Sequence, residues 1–510
     1  MFFRSFLLSL LLPLAVFHGE EQELDFEQAI KALLEQFCGA HSKAVDPFTR
    51  TSHEIDVKGE KLSYTAITGK LPQYSTSGTV IGHLFFTAYL KEHTHSDRPV
   101  TFIFNGGPGA SSLSMHIASI GPRRLLFPEE GQKTLPPYQI IDNPETLLDL
   151  SDLILIDPIG TGYSRAEHEA YKPFYHSVEG DLASFGEFIR MFCITFKRWN
   201  SPKYLMGASY GTCRACGLAE SLRNSWGIGL NGVILLSPAL DFSTLGLGTS
   251  HRDLPLSDCL CIPTYAATAW YHGRGIQDKT LEEVVDYARR FVYEQYAPVM
   301  MQPSRLNADE KKAFYQSFAN LIGLPLETVQ RYEARISEHL YTTEFFASER
   351  KIIGGVDSRY IGDVSTIDKE FYEDPSYRNF RPAFYPSFLH YMQTELNTDL
   401  PFPHYLSFSA ESFLQWDFST YDSPADLPNF LQRLRRSLVD NPDMKVFVGS
   451  GYYDIRTPFG AAEYSLDHLA LPPAYQKNFQ VEYYKAGHGF IFHLDSLRKF
   501  KTDLTSFYGK

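Results

Sequence analysis

Apolar and polar positions along this chain follow two rhythms. Short apolar runs recur near Lys61–Thr68, Val80–Ala88, Val100–Phe104, Leu153–Ile156, Tyr204–Met206, Val233–Leu236, Val446–Val448 and Gln480–Tyr484, separated by stretches of helical periodicity. Runs this short, bounded by Gly, Pro and Asp, predict strands, and strands alternating with helices predict a mostly parallel sheet covered by helices. A further helix is expected at Glu23–Phe37. From Leu240 to about Asp440 the strand rhythm stops, and charged, aromatic helical segments such as Lys279–Tyr296 and Ala308–Ile322 take over. This stretch reads as a helical cap inserted between the sixth and seventh strands. It is expected to roof a site, with the aromatic run Arg378–Tyr391 available to line a pocket. The expected domains are a leader at 1–19, an α/β body formed by 20–239 and 441–510, and an inserted helical cap at 240–440.

The leader changes where the protein is expected to work. Arg4 precedes an apolar run from Phe6 to Phe17 that is too short to span a bilayer, the pattern of a secretory signal peptide. No later stretch reaches the length of a membrane helix, so the mature protein is expected to be secreted, periplasmic or luminal, with no stable membrane span. Composition is globular, with 44% hydrophobic and 21% charged residues. A net charge of −13 repels phosphate backbones and excludes nucleic acid as a partner. Six cysteines fit an oxidising compartment without fixing a pairing. Cys213-x-x-Cys216 raises a redox or zinc alternative, but it falls in a helical stretch and no second pair has zinc-like spacing. His93-x-His95 beside Asp97 reads as a solvated loop. A homodimer is left open.

The chemistry begins at GASYG, Gly207 to Gly211, which fits Gly-x-Ser-x-Gly. The pattern alone arises by chance about 0.2 times in a chain this long, so its setting must decide. Here an apolar strand precedes it and a helical pattern with small residues follows, the strand–turn–helix setting of a nucleophile elbow. Serine needs a histidine base and an acid that fixes the imidazole tautomer, and in this fold class they follow in the order Ser, Asp, His. KVFVGSGYYD places Asp454 after one strand and VEYYKAGHGF places His488 after the next, which makes Ser209, Asp454 and His488 the candidate triad. An oxyanion would need two donors, the backbone N–H groups of Tyr210 and of Gly107 in the loop FNGGPGASS.

In order along the chain, NGGPGASS, DPIGTGYSRA, GASYGT, GSGYYD and AGHGF resemble the signature blocks of the serine carboxypeptidase family, peptidase family S10. The resemblance runs from about Lys61 to Phe492. GGVDSRYIG and YEDPS within the cap look like a bacterial-type branch of that family. The resemblance implies an α/β-hydrolase fold, removal of C-terminal residues from peptides through an acyl-enzyme, and no metal or cofactor. It implies that Asn105 and Gly106 bind the substrate's terminal carboxylate. Two positions depart from it. Ala208 stands where the family usually has Glu before the nucleophile, and Ser119 stands where a second Glu often lies. Ala110 also replaces a common Cys.

A secreted serine-type carboxypeptidase acting on peptides is therefore the expected function. Arg123 and Arg124, just after Ser119, are candidates to take over carboxylate capture, because a guanidinium binds carboxylate without prior protonation. The missing acids equally admit an esterase or acyltransferase on the same triad. A non-catalytic scaffold that binds a partner is the third reading.

Overall fold

The computed structural model describes residues 48–509 apart from 95–96, 128–134, 246–254, 365–373, 399–404 and 421–427. The expected leader and Glu23–Phe37 helix, together with Cys38 and His95, lie outside the described residues. Nine strands stand side by side: β1 (Phe48–Val57), β2 (Glu60–Tyr74), β3 (Val80–Lys91), β4 (Val100–Phe104), β5 (Asp152–Ile156), β6 (Lys203–Ala208), β7 (Gly232–Leu236), β8 (Lys445–Gly451) and β9 (Phe479–Tyr484). Their order is β1-β2-β3-β5-β4-β6-β7-β8-β9, and the short strand Arg165–Ala166 adds to β3. The last six positions in this order are parallel; β1, β2 and β3 join antiparallel. All eight expected strands are present, and β1 is an addition. Most of its residues are polar, so it carries little apolar rhythm, but it pairs with β2 from Phe48↔Gly69 to Val57↔Glu60. Lys58 (φ 55°) and Gly59 (φ 87°) close that hairpin with positive φ at both turn positions, as a tight two-residue turn needs.

Alternation along the parallel strands builds two cores. Val100, Phe102, Phe104, Leu205, Val233, Leu235, Val446 and Val448 face one side, where α1 (Val178–Thr195) and α2 (Tyr210–Trp226) cover them. Ile103, Met206, Ile234, Leu236 and Phe447 face the other.

The inserted region divides. Residues 259–346 hold a core of their own between α3 (Pro255–Tyr271), α4 (Leu281–Phe291) and α5 (Ala308–Ile322). The expected segment Lys279–Tyr296 starts as α4 because Thr280 and Glu283 form a reciprocal capping box, satisfying two end N–H groups. Asn307 and Glu310 do the same for α5. Beyond residue 374 the insertion packs on the α/β body instead. On α6 (Pro375–Thr394), Phe380, Phe384, Phe388 and Tyr391 are buried in the second core, so the aromatic run expected to line a pocket is mainly core. Leu431, Leu434 and Leu438 of α7 (Leu431–Asp440) join the first core.

Candidate active site

Ser209 stands between β6 and α2 with φ 58° and ψ −128°, a conformation that L-residues avoid and that stores strain at the turn. The flanking glycines make the turn sterically feasible. A Cβ on Gly207 would fall 2.0 Å from Gly211 O, and one on Gly211 would fall 3.0 Å from both Phe104 O and Asn105 O. The elbow is tied down by Ser209 N–H donating to Leu236 O (2.9 Å) and by Thr212 Oγ1 donating to Ser209 O (2.7 Å). Helix α2 then begins at Tyr210, whose N–H, first in the helix, has no intrahelical acceptor and lies at the positive end of the helix dipole.

The other two residues meet across the ends of β8 and β9. His488 Nδ1–H donates to Asp454 Oδ2 at 2.7 Å, and Asp454 is wholly buried. Thr457 completes the acid's surroundings. Its N–H donates to Asp454 Oδ1 (3.0 Å), and its Oγ1 lies 2.7 Å from Asp454 Oδ2 and 3.1 Å from His488 Nδ1. Burial alone would lower the His488 pKa, but the charge and hydrogen bond of Asp454 outweigh it, so the pKa is raised. Ser237, at φ 47°, donates through Oγ to His488 O at 2.9 Å.

The FNGGPGA loop lies against the elbow. A Cβ on Gly106 would fall 2.6 Å from both Tyr210 N and Ala208 O, which brings the backbone around Gly107 beside Tyr210. Asn105 braces the loop. Its Nδ2 donates to Ser114 Oγ (2.7 Å) and Ser111 O (3.2 Å), and its carbonyl accepts from Arg214 Nη1 (2.7 Å). Asp157 of DPIGTGYS joins this assembly by accepting from Ser112 N and Oγ at 2.8 and 2.7 Å. Its burial outweighs those bonds and lifts its pKa to about 6. From the inserted region, Phe408 bridges Ala110, Leu406 bridges Gly162, and Ser409 N–H donates to Gly109 O (2.8 Å).

Several positions differ from the sequence expectations. Arg123 is fully engaged, donating through Nε and Nη2 to Glu395 at 2.9 and 3.0 Å and through Nη1 to Asp142. Arg124 is buried at 4% exposure. Neither guanidinium is presented for carboxylate capture, because the short strand Arg123–Leu125 directs one to a surface ion pair and the other inward. Ser119 is wholly buried, its Oγ donating to Met115 O (3.1 Å). The five described cysteines are buried free thiols, and burial raises Cys193 to about 11 and Cys259 to about 12, far from thiolate reactivity.

Sequence reasoning missed three participants. Thr457 had the short D-x-x-T spacing as its only signal. Arg214, in CRAC, forms a buried ion pair with Asp181 (2.7 Å) beneath the FNGGPGA loop; a lone cation among small helix residues was the available clue. The third is the segment Gly354–Arg359, which lies against the His488 turn: His488 N–H donates to Val356 O at 2.7 Å.

A family model described as serine carboxypeptidase matches residues 73–493. The pheromone-processing carboxypeptidase KEX1 of Yarrowia lipolytica is 26% identical over 205 residues, 40% of this chain and 31% of that protein. Its counterpart in Penicillium rubens is 29% identical over 154 residues, 30% of this chain and 23% of that protein. This chain thus spans less than a third of the length of these curated relatives. The crystal structure of KEX1(Δ)P, a prohormone-processing carboxypeptidase from Saccharomyces cerevisiae, matches with a TM-score of 0.52 at 14% identity, covering 87% of this chain and 91% of that one. At that identity the likeness establishes the fold, an α/β-hydrolase with a mixed, mostly parallel sheet. Among the described residues no helix is long and apolar enough to cross a membrane.

Proposed function

Because the chain belongs to the serine carboxypeptidase family, we propose that it releases C-terminal residues from peptides through an acyl-enzyme on Ser209, His488 and Asp454. The observation that carries this reading is the 2.7 Å bond from His488 Nδ1 to the buried Asp454, with Ser209 held in a strained elbow. In the proposed cycle Ser209 Oγ attacks the last peptide carbonyl while His488 Nε2 takes its proton. The imidazolium that forms is stabilised by Asp454 and then gives the proton to the leaving amine. Water, activated by the same histidine, releases the acyl group and restores Ser209. The N–H groups of Gly107 and Tyr210 are the donors for the oxyanion, each worth about 10²- to 10³-fold in rate.

Carboxylate recognition is the second half of the proposed activity. Asn105 and Gly106 remain its candidates, although the Asn105 amide is occupied within its own loop. With Ala208 and the buried Ser119 in place of acids, Arg123 bound to Glu395 and Asp142 and Arg124 buried, an esterase or acyltransferase on the same triad is the second reading. Within the family, GGVDSRYIG and YEDPS support a bacterial-type branch, whereas the curated relatives above are fungal. A secreted or luminal location rests on the apolar leader.

A fluorophosphonate should label Ser209, and Ser209→Ala should lose both labelling and about 10⁶ in kcat. Comparing one peptide with a free and an amidated C-terminus then separates the readings. Cleavage restricted to the free form supports the carboxypeptidase, and equal cleavage or none, with esters turned over, supports the esterase.

A further inference from the structure

Two sequence blocks in the inserted region, GGVDSRYIG (Gly354–Gly362) and YEDPS (ending at Ser376), supply no member of the triad or of the loop that faces it. The structure gives them a shared task. Asp374 Oδ2 accepts from Gly355 N (2.7 Å) and Val356 N (3.0 Å). Ser376 Oγ accepts from Asp357 N at 3.1 Å. The bend so formed is too tight for side chains, since a Cβ on Gly354 would fall 2.3 Å from Ser376 Oγ. What it holds in place is Asp357 with Arg359, both almost fully buried. Arg359 donates through Nε (2.9 Å) and Nη2 (2.7 Å) to the two oxygens of Asp357, a bidentate pair of fixed geometry.

This pair grips the turn that carries the catalytic base. Asp357 Oδ2 accepts from Gly487 N at 3.1 Å, and Arg359 Nη1 donates to Lys485 O at 3.0 Å. The neighbouring Val356 carbonyl accepts from His488 N at 2.7 Å. Contact is close enough that a Cβ on Gly487 would fall 2.4 Å from the Asp357 Cβ. Three bonds, to Lys485, Gly487 and His488, therefore fix the backbone of 485–488 from the side of the insertion, while Asp454 holds the imidazole ring. A shift of about 1 Å in a catalytic group can cost on the order of a hundredfold in rate, so the backbone of this turn matters as well as the ring's partner.

We infer that Asp357 and Arg359 are positioning residues for His488, clamping its turn so that Nε2 is delivered to Ser209. The inference rests on the proposed Ser209 chemistry. It predicts a loss in the chemical step, independent of what the substrate is, and no loss in substrate binding.

The test uses the full chain, with Asp357→Asn, which keeps the shape but weakens the pair, and Arg359→Lys, which keeps the charge but loses the fork. Active molecules are counted by end-point fluorophosphonate labelling, and kcat per labelled site and KM are measured on a peptide and on an ester. The expected result for at least the conservative Arg359→Lys is kcat per labelled site lower by about a hundredfold on both substrates, with KM unchanged. Fewer labelled sites with wild-type kcat per site would show a purely structural role and overturn the inference, as would a change confined to KM. Failure of the wild type itself to label would instead overturn the Ser209 reading, and the positioning role with it.

Discussion

Thr457 Oγ1 and His488 Nδ1 converge on the same oxygen, Oδ2 of Asp454, each at 2.7 Å. That oxygen is thereby committed to orienting the imidazole, and its neighbour Oδ1 is taken by Thr457 N. Asp454→Asn should cost about 10⁴ in kcat, because an amide in this position favours the wrong histidine tautomer. Steady-state kinetics with unaltered fluorophosphonate end-point labelling would confirm that only the base is affected; a loss under tenfold would move the acid's role to another carboxylate.

The pH profile follows from the same contact. Only neutral imidazole can accept the serine proton, so kcat/KM should rise with pH as His488 loses its proton. Burial lowers that pKa, but Asp454 and, more distantly, Asp374 raise it against Arg456, and the net shift is upward. The midpoint of the rise should therefore lie above the ordinary histidine value of about 6.5. In Asp454→Asn the attraction is gone and the residual rate should rise at lower pH than in the wild type. A wild-type midpoint clearly below 6 would contradict this balance.

Arg214 should matter chiefly to stability. It is fully buried with Asp181, and it also donates to the Asn105 carbonyl beneath the FNGGPGA loop. Arg214→Met leaves a buried carboxylate without its partner, a loss of about 3 to 5 kcal/mol. The double variant Arg214→Met with Asp181→Leu removes both charges and should recover much of it. Urea unfolding of the two variants measures the difference, and equal destabilisation would show that the pair's charge is not the cause.

Replacing Arg123 by Ala should leave KM for peptides with a free C-terminus unchanged, because its guanidinium is already shared between Glu395 and Asp142. At 23% side-chain exposure, loss of that ion pair should cost about 1 kcal/mol or less. A selective rise in KM for free-carboxylate peptides, absent for amidated ones, would restore the arginine to substrate binding.

The sheet was legible where strands are buried on both faces. Val100–Phe104 and Gly232–Leu236 are buried throughout and, but for Thr101, carry no polar side chain, which makes a short run visible. β1 was not, since an edge strand with one exposed face and polar residues such as Thr49, Thr51 and Asp56 has no run to see. The pairing of Asp454 with His488 was readable because each follows one of two strands that lie side by side. Arg123 and Arg124 misled for the opposite reason: nearness in sequence to Ser119 says nothing about direction, and neighbouring residues on a strand point to opposite sides. The contact of Val356 with His488 had no sequence signal at all, because it depends on how a loop is folded back by Asp374 and not on any periodicity.

The carbonyl of Val356 also limits how this molecule can be recombined. Residues 259–346 have a core of their own, but Ala267, Leu281 and Val285 also pack against Tyr452, Tyr453 and Phe459 of the body, and Thr268 and His272 hydrogen-bond to Ser358. An exchange confined to these residues should keep the mould in which the histidine turn is set only where those contacts are kept, and one that runs on through 354–376 carries the mould away. Diversification of such a protein is therefore constrained at those seams, and the second half of the insertion is inherited together with the turn that holds His488.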